Sequence, residues 1–541
     1  MRTFTPDLGR DGNGPYRLLR GFGDPLVQRF LRSLSSPREA QRARLGAVLS
    51  AAAGSRFARE HSLSSVSSLE DLRAAVPVRT HAELSPWLDA LAEGELDALT
   101  GAKPSMLLET SGTTGRPKWL PVTAPWAKSV SEAQQLWVMA MVRDHEAVSK
   151  GKALTIVSPA QHGTAPGGLP VGSNTGRMHQ AQPWWLRLRY PVPYRAFGLS
   201  PSDLRLYTIL RFALQQPISS LTTANPSTIL LMCRRLLAWQ EDLAADLRDG
   251  TLRRGPAAAL DRRDRRWFEW RLRRRAPPTD WRPAHIWNLE LVNCWKGGPA
   301  QYFVDRLPEA LGRDVPVREV GVTASEGYFA IPLGDDWPGG VLWNEGHVLE
   351  FIPEDGGDVL WAWELEAGQR YRMIITTEAG LYRYDLKDII EVVGFCEQAP
   401  VIRFVSKAGH YLNATGEKVS AEQVSAAMRQ AARQTGFTPT GFTARVRFDA
   451  VPNFQVAVEG TPPDGFGRVF DGALKALNVE YESKRSSDRI GEPDVLVVGE
   501  GTYARYRAAR VAAGAPEGQV KDPVVAVKDG EWEQVMAAAG R

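Results

Sequence analysis

Cysteine is scarce in this chain of 541 residues: Cys233, Cys294 and Cys396 stand far apart, with no C-x-x-C pair and no histidines at zinc-ligand spacing. That excludes a disulfide framework and a structural zinc site, and it fits reduced, buried, cytosolic thiols. Long hydrophobic runs are missing too, since no stretch of about 18 apolar residues is present to cross a bilayer. The opening residues, MRTFTPDLGRDGNGPYR, lack the apolar centre of a signal peptide, so the expected location is cytoplasmic. No repeat of solenoid period occurs. Charge of one sign is not in real excess either. Between Arg253 and Arg275 ten arginines face Asp261, Asp264 and Glu269, a local +7 within a total of +4, so the rest of the chain carries −3. The basic pI of 8.9 therefore reports one segment rather than a nucleic-acid surface.

What is present is material for large cores, with 43% apolar residues and 9% aromatics. The length is about three to four typical domains, which excludes a single small binding module. From Leu26 to about Ala75 the apolar spacing is helical. Short apolar strands closed by glycine or hydroxyl turns follow, among them SMLLET, ALTIVSP, REVGVTA and YRMIITT, with helical stretches between the first ones. That alternation predicts an α/β fold. The stretch RRDRRWFEWRLRRR reads as a solvated helix with arginines around much of its surface. Near residue 405 the character changes, and the last ~135 residues suffice for a small α/β domain. The predicted division is 1–406 and 407–541, with the boundary at Lys407.

Three segments carry chemistry. The first is Thr110-Ser111-Gly112-Thr113-Thr114-Gly115-Arg116-Pro117-Lys118, directly after a strand. Glycines free the backbone N–H groups, hydroxyls add donors and Lys118 supplies charge, a combination suited to a polyphosphate. The spacing is not that of a Walker A loop, which removes ordinary P-loop NTPases. In the second, Val320 to Tyr328, small residues end a strand and Glu326 offers one acid able to hold Mg2+; an exposed turn glutamate is the competing reading. Ser325 lacks the glycines of a nucleophile elbow. The third, Gly380 to Phe395, contains Tyr384, Asp385 and Asp388. An ionised carboxylate can accept from both hydroxyls of a ribose diol, while ion pairing with Arg383 or Lys387 is the alternative for an aspartate here.

In this order and spacing the three segments resemble the adenylate-forming superfamily of acyl-CoA synthetases, adenylation domains and luciferases. Further stretches, VPVRTHAELSPWLDALAEGE, RYPVPYRAFGLS, WKGGPAQYFVDRLPEALG, GLYRYDLKDIIEVVGF and GTYARYRAARVAAGAPEGQVKDP, resemble one branch, the plant auxin-responsive acyl-acid amido synthetases and their bacterial relatives. The likeness spans roughly residues 30 to 530. It implies a large N-terminal adenylate-forming domain of sheets and helices with a small mobile C-terminal α/β domain. It also implies ATP and Mg2+ as cofactors, and a carboxylic acid joined to the amine of an amino acid. Neither nucleic acid nor membrane is an implied partner, and the chain is expected to be a monomer or a weak homodimer.

Position by position, the resemblance implies a phosphate loop of Ser111, Gly112, Thr113, Thr114, Gly115 and Lys118, and an adenine-side turn at Gly297 and Gly298. It puts a phosphate contact at Ser325, the metal carboxylate at Glu326, and nucleotide contacts at Thr323, Tyr384 and Asp388. Lys407 matches an interdomain hinge, while Lys418 and Lys521 match lysines carried to the nucleotide by the C-terminal domain; with Lys118 these are the implied catalytic lysines. Where the family has Tyr-Arg-x-Gly-Asp, this chain has Asp385 for the arginine and Lys387 for the glycine. The loop TSGTTGRPK is nearer the general superfamily, so an acyl- or aryl-CoA ligase is an alternative, as is a non-catalytic nucleotide-binding relative. The acyl pocket is expected between the first two segments, walled by QHGTAPGGLPVGSNTG and by Trp184, Trp185, Tyr190 and Tyr194. His162 is the histidine of note there, with a satisfied structural role as its simpler reading.

Overall fold

The computed structural model describes residues 2–110, 118–409, 411–412, 414, 417, 419–449, 451–486, 490–527 and 530–541. The helices Asp24–Ser35 and Pro37–Ala52 form where the apolar spacing predicts them; a further helix, Gly14–Phe22, precedes the predicted span and is capped by Asn13, whose Oδ1 accepts from Tyr16 N at 2.9 Å. Three sheets follow. A four-stranded sheet runs in the order Lys118–Val122, Met106–Thr110, Pro170–Gly172, Gly163–Thr164. It sets Gly163–Thr164 two strands from the strand that leads into the expected phosphate loop.

The second sheet is wholly parallel: Lys152–Thr155, Ile218–Thr222, Leu291–Cys294 and Val317–Glu319. All four residues of Leu291–Cys294 are buried, the mark of a strand covered on both faces. Helices Ser202–Ala213 and Pro226–Ala238 contribute Tyr207, Ile229 and Leu236 to its core. The carboxyl ends of these strands, where parallel sheets gather ligands, deliver Trp295 and the residues after Glu319.

The third sheet has eight antiparallel strands, and its centre is the pair Tyr384–Cys396 and Ala399–Lys407. Its far edge is the hairpin Val322–Ala324 with Gly327–Ile331. The stretch REVGVTA, expected as one strand, is two. Gly321 takes φ +102, and a Cβ there would lie 2.5 Å from Ala330 O, so the chain breaks at this glycine and passes from the parallel sheet to the antiparallel one.

The smaller C-terminal part is α/β. Helix Ala421–Thr435 opens with a Ser420–Gln423 capping box and stops at Gly436, and it packs with Phe466–Leu477 on the strands Phe442–Arg447, Asn453–Glu459 and Asp494–Val498. This part meets the larger one through Arg306 Nη1 donating to Pro439 O at 3.1 Å, Gly518 N donating to Ser158 Oγ at 3.1 Å, and an Arg205–Glu517 ion pair.

The arginine-rich helix is shorter than expected, ending at Glu269, because Leu252 N and Arg253 bind the Glu269 carboxylate and pin the chain there. All three cysteines are buried and free. Among the described residues, no helix is long and apolar enough to cross a membrane.

Candidate active site

Glu326 sits with Ser325 in the turn of the hairpin Val322–Ala324 and Gly327–Ile331. Its backbone is fixed from below: the indole of Trp126, buried on helix Ala124–Asp144, donates to Glu326 O at 2.8 Å. The side chain is half-buried rather than the exposed turn acid of the competing reading. Burial raises its carboxyl above the ordinary range, with Lys407 and Lys118 pulling it down and Asp388 adding to the rise. Tyr384 is buried at the start of the long central strand, near this carboxylate; burial and then the charges of Glu326, Asp388 and Asp385 push the phenol up.

Asp388 lies four residues along the same strand, paired in register with Lys407 on the next. Lys407 Nζ stands 2.5 Å from Asp388 Oδ1, an ionic approach without the angle of a directed hydrogen bond, and donates to Leu386 O at 3.2 Å. Burial works against the ammonium, yet Asp388, Glu326 and Asp385 together hold its pKa above the usual lysine value. Asp385 serves the strand instead: Lys387 N donates to its Oδ1 at 2.9 Å and Arg372 lies 3.6 Å away. Arg383 does not pair with either aspartate. It makes a buried two-pronged bond to Glu350, 2.9 Å on each arm.

The turn Trp295–Gly298 leaves the parallel sheet toward the same place. Gly298 has φ +56, and a Cβ on it would come within 2.6 Å of Val405 O, so only glycine lets the turn lie against the strand that ends in Lys407. Glu319, which composition and pattern did not single out, organises the turn. Fully enclosed, its carboxylate accepts from Lys296 N at 2.7 Å and from Gly321 N at 3.1 Å, with Gly297 N adding a third donor. Burial pushes this acid up to about 7 against those hydrogen bonds. A carboxylate ending a short strand, Val317–Glu319, just before a glycine was the available signal.

Trp295 joins the groups. Its indole donates to Thr323 Oγ1 at 3.4 Å, and Lys521 Nζ, arriving from the C-terminal part, lies 4.4 Å from its ring centre. Enclosure by the surrounding protein, then the charge of Lys407, depresses Lys521 to about 8, with Asp388 opposing. Lys521 and Lys407 keep side-chain surface open to the cleft, so water there moderates these fields. Lys118 belongs to the same charge set, acting on Glu326 and on His81. His81 was not foreseen: burial, then Lys118, lowers it to about 4, and its Nε2 is enclosed without a hydrogen-bond partner in the structure described.

The structure thus brings Lys118, Thr323, Glu326, Tyr384, Asp388, Gly297, Gly298, Lys407 and Lys521 into one neighbourhood, with Ser325 beside Glu326 in its turn. Ser111, Gly112, Thr113, Thr114, Gly115 and Lys418 lie outside the described residues, as does the Trp185 side chain. Of the expected aromatic wall, Trp184 is 70% exposed, while Tyr190 and Tyr194 pack with the buried His179. His162 is bonded to Glu109, Nε2 to Oε2 at 2.7 Å.

One carboxylate beside two lysines, with Asp388 near, suits Mg2+, which takes one or two protein carboxylates and relies on waters and substrate phosphates for the rest. Among the described residues there is no cluster of three or more acidic, histidine or cysteine ligands. The residues present fit a metal brought in with a nucleotide.

Models of the GH3 family match along the chain: its N-terminal domain over residues 26–317, its central domain over 340–407 and its C-terminal domain over 422–531. A probable indole-3-acetic acid-amido synthetase, GH3.12 of Oryza sativa subsp. japonica, is 24% identical over 91% of this chain and 92% of its own. The jasmonoyl–L-amino acid synthetase JAR4 of Nicotiana attenuata is 21% identical over 92% and 93%. The solved structure of the GH3.15 acyl acid amido synthetase superposes with a TM-score of 0.83 over 97% of both chains at 19% identity, which shows the shared fold. The first family model alone spans more than half of the sequence, and the chain belongs to the GH3 family.

Proposed function

We propose that the chain is an ATP-dependent acyl-acid amido synthetase: it activates a carboxylic acid as an acyl-adenylate and passes the acyl group to the amine of an amino acid. The observation that carries the reading is the meeting of Glu326, Asp388 and Lys118 of the large part with Lys521 of the small part in one cleft. Relatives named as amido synthetases along nearly the whole chain support it.

Joining a carboxylate to an amine near neutral pH requires a better leaving group than an oxide ion. The carboxylate oxygen attacks the α-phosphorus of ATP, pyrophosphate leaves, and the amine then displaces AMP from the acyl carbon. Negative charge accumulates on the phosphoryl oxygens in the first step, and positioned cations are the effective response. Lys118 and Lys521 supply that charge, with Thr323 and Ser325 as hydroxyl donors and the backbone of Ser111, Gly112, Thr113, Thr114 and Gly115 as a cradle. Asp388 accepts from the ribose hydroxyls, and Gly297 and Gly298 let the turn approach the base. Glu326 would hold Mg2+, which would neutralise charge on the departing pyrophosphate. Lys418 is assigned to the nucleotide by family position. The boundary between the two parts is placed at Lys407, the last residue of its strand, about which the smaller part turns between the two steps.

Pyrophosphate release, screened over carboxylic acids with ATP and Mg2+ and then with amino acids or CoA as acceptor, tests this. Amide product with an amino acid supports it. A thioester with CoA and no amide under any acceptor replaces it with a CoA ligase.

A further inference from the structure

The amine acceptor must lose a proton as it attacks, and the lysines above are assigned to phosphoryl charge rather than to that proton. One titratable pair outside the nucleotide cluster is placed to do so. His162 Nε2 lies 2.7 Å from Glu109 Oε2, with side-chain exposures of 30% and 14%. Glu109 is the penultimate residue of strand Met106–Thr110 and pairs across the ladder with Trp119, one step from the Thr110–Lys118 pair that brackets the phosphate loop. His162 directly precedes strand Gly163–Thr164, two strands away in the same sheet, and its main chain is pinned by His162 N donating to Val171 O at 2.9 Å. Four residues earlier Ser158 Oγ accepts from Gly518 N, three residues before Lys521. The loop that carries His162 thus begins, at Ser158, on a contact with the segment that leads to Lys521.

The chemistry of the pair is directional. An ionised Glu109 only accepts, so Nε2 carries the ring hydrogen, and the lone pair of Nδ1 is left for a proton from elsewhere. Burial raises the Glu109 carboxyl and His162 opposes that rise. A structural contact would fix the loop equally well, but it would not require a ring with one nitrogen oriented by a carboxylate and an edge open to solvent.

We propose that His162, oriented by Glu109, is the general base of the amide-forming step, Nδ1 taking the proton of the attacking amine. This rests on the amido synthetase reading. The neutral amine nitrogen attacks the acyl carbon and a C–N bond forms. The nitrogen, now positive, gives one proton to Nδ1; the bond from the acyl carbon to the AMP oxygen breaks, and its electron pair stays on AMP. The imidazolium returns the proton to water. His162 is the catalytic residue here and Glu109 a positioning residue.

The test uses presynthesised acyl-adenylate, the full-length enzyme and two acceptors: an amino acid, and hydroxylamine, which is unprotonated at neutral pH and sheds its proton to water once attached. His162→Gln is expected to slow amide formation with the amino acid by about 100-fold and with hydroxylamine by less than about 5-fold. Glu109→Gln should show the same split at about 10-fold, and added imidazole should restore His162→Gly with the amino acid. Unfolding midpoints of all variants are measured alongside, and if His162→Gln is unfolded, Glu109→Gln decides. Equal losses with both acceptors, or no loss with either, overturn the proposal. A wild-type enzyme that releases pyrophosphate but forms no amide with any amine overturns the function itself, a result distinct from these.

Discussion

Asp388 and Lys407 face each other across the two central strands of the large sheet, Oδ1 and Nζ 2.5 Å apart, and the same ammonium is drawn toward Glu326. One cation thus serves two carboxylates assigned to different parts of a nucleotide.

Asp388 and Asp385 should separate cleanly by substitution. Hydrogen bonds to a charged acceptor contribute roughly 1.5 to 3 kcal/mol each, so Asp388→Ala is expected to weaken ATP binding at least tenfold in calorimetry. Asp385 is engaged with Lys387 N and Arg372. Its alanine variant should lower the unfolding midpoint while ATP affinity changes less than threefold. The reverse order would move the ribose contact three residues upstream.

Glu326→Gln keeps the size of the side chain and removes the charge a divalent cation needs. Binding of ATP without metal should change little, whereas the gain in affinity on adding Mg2+ should vanish and adenylation should fall by about 100-fold or more. The Trp126 bond goes to the main chain of this residue, so the fold is expected to survive. Equal Mg2+ dependence in both proteins would take Glu326 out of the site.

At Lys387 the backbone itself is the object. The residue adopts φ +59, a left-handed conformation costing a side-chain-bearing residue about 1 kcal/mol or more, and its family counterpart is glycine. Lys387→Gly should raise stability by up to about 1 kcal/mol, after allowance for the flexibility glycine adds to the unfolded chain. Lys387→Ala should give no gain. Urea midpoints for the two variants distinguish backbone strain from a role for the ammonium.

That residue also shows what could be read from sequence and what could not. The departure from glycine was visible at Lys387, but not that lysine takes up the glycine conformation. Glu326, Asp388 and Lys521 were legible because each sits in a short stretch with a known family counterpart. Lys407 was read as a hinge, and its charge partner, 19 residues back, appears only once the strands Tyr384–Cys396 and Ala399–Lys407 are in register. Glu319 and Trp295 escaped notice because their partners are backbone amides and a lysine more than 200 residues away. The single strand expected over REVGVTA failed at Gly321, where a positive φ was not deducible from an apolar pattern.

Glu319 makes a prediction about pH. Its folded value of about 7 lies above the ordinary 4.5, so the folded chain holds this proton more tightly than the unfolded one. Its contribution is therefore fully present below about pH 4.5 and is lost as pH rises through 7. Relative to Glu319→Gln, the wild type should gain stability as pH falls from 8 to 5. Thermal unfolding of both at several pH values checks the sign; a constant offset would mean that Glu319 does not titrate in this range.

In the proposed mechanism Lys521 belongs to one half of the reaction. It lies over Trp295 near Lys407 and Asp388, so its charge is available to the α-phosphate only while the smaller part is held in this arrangement. Lys521→Ala should cut acid-dependent pyrophosphate exchange by about 100-fold, the scale of removing one preorganised electrostatic donor. Given presynthesised acyl-adenylate and an amine, the loss should be under about 5-fold, because the proposed mechanism gives that step to a second arrangement, in which positioning carries the work. The depressed ammonium adds a pH signature: its charge is present below about 8 and lost above, so kcat/KM for ATP should decline as pH climbs through that region. Lys521→Arg, charged throughout, should lack the decline. A variant equally slow in both half-reactions, with a normal unfolding transition, would show that Lys521 is not specific to adenylation and would remove the main support for domain rotation.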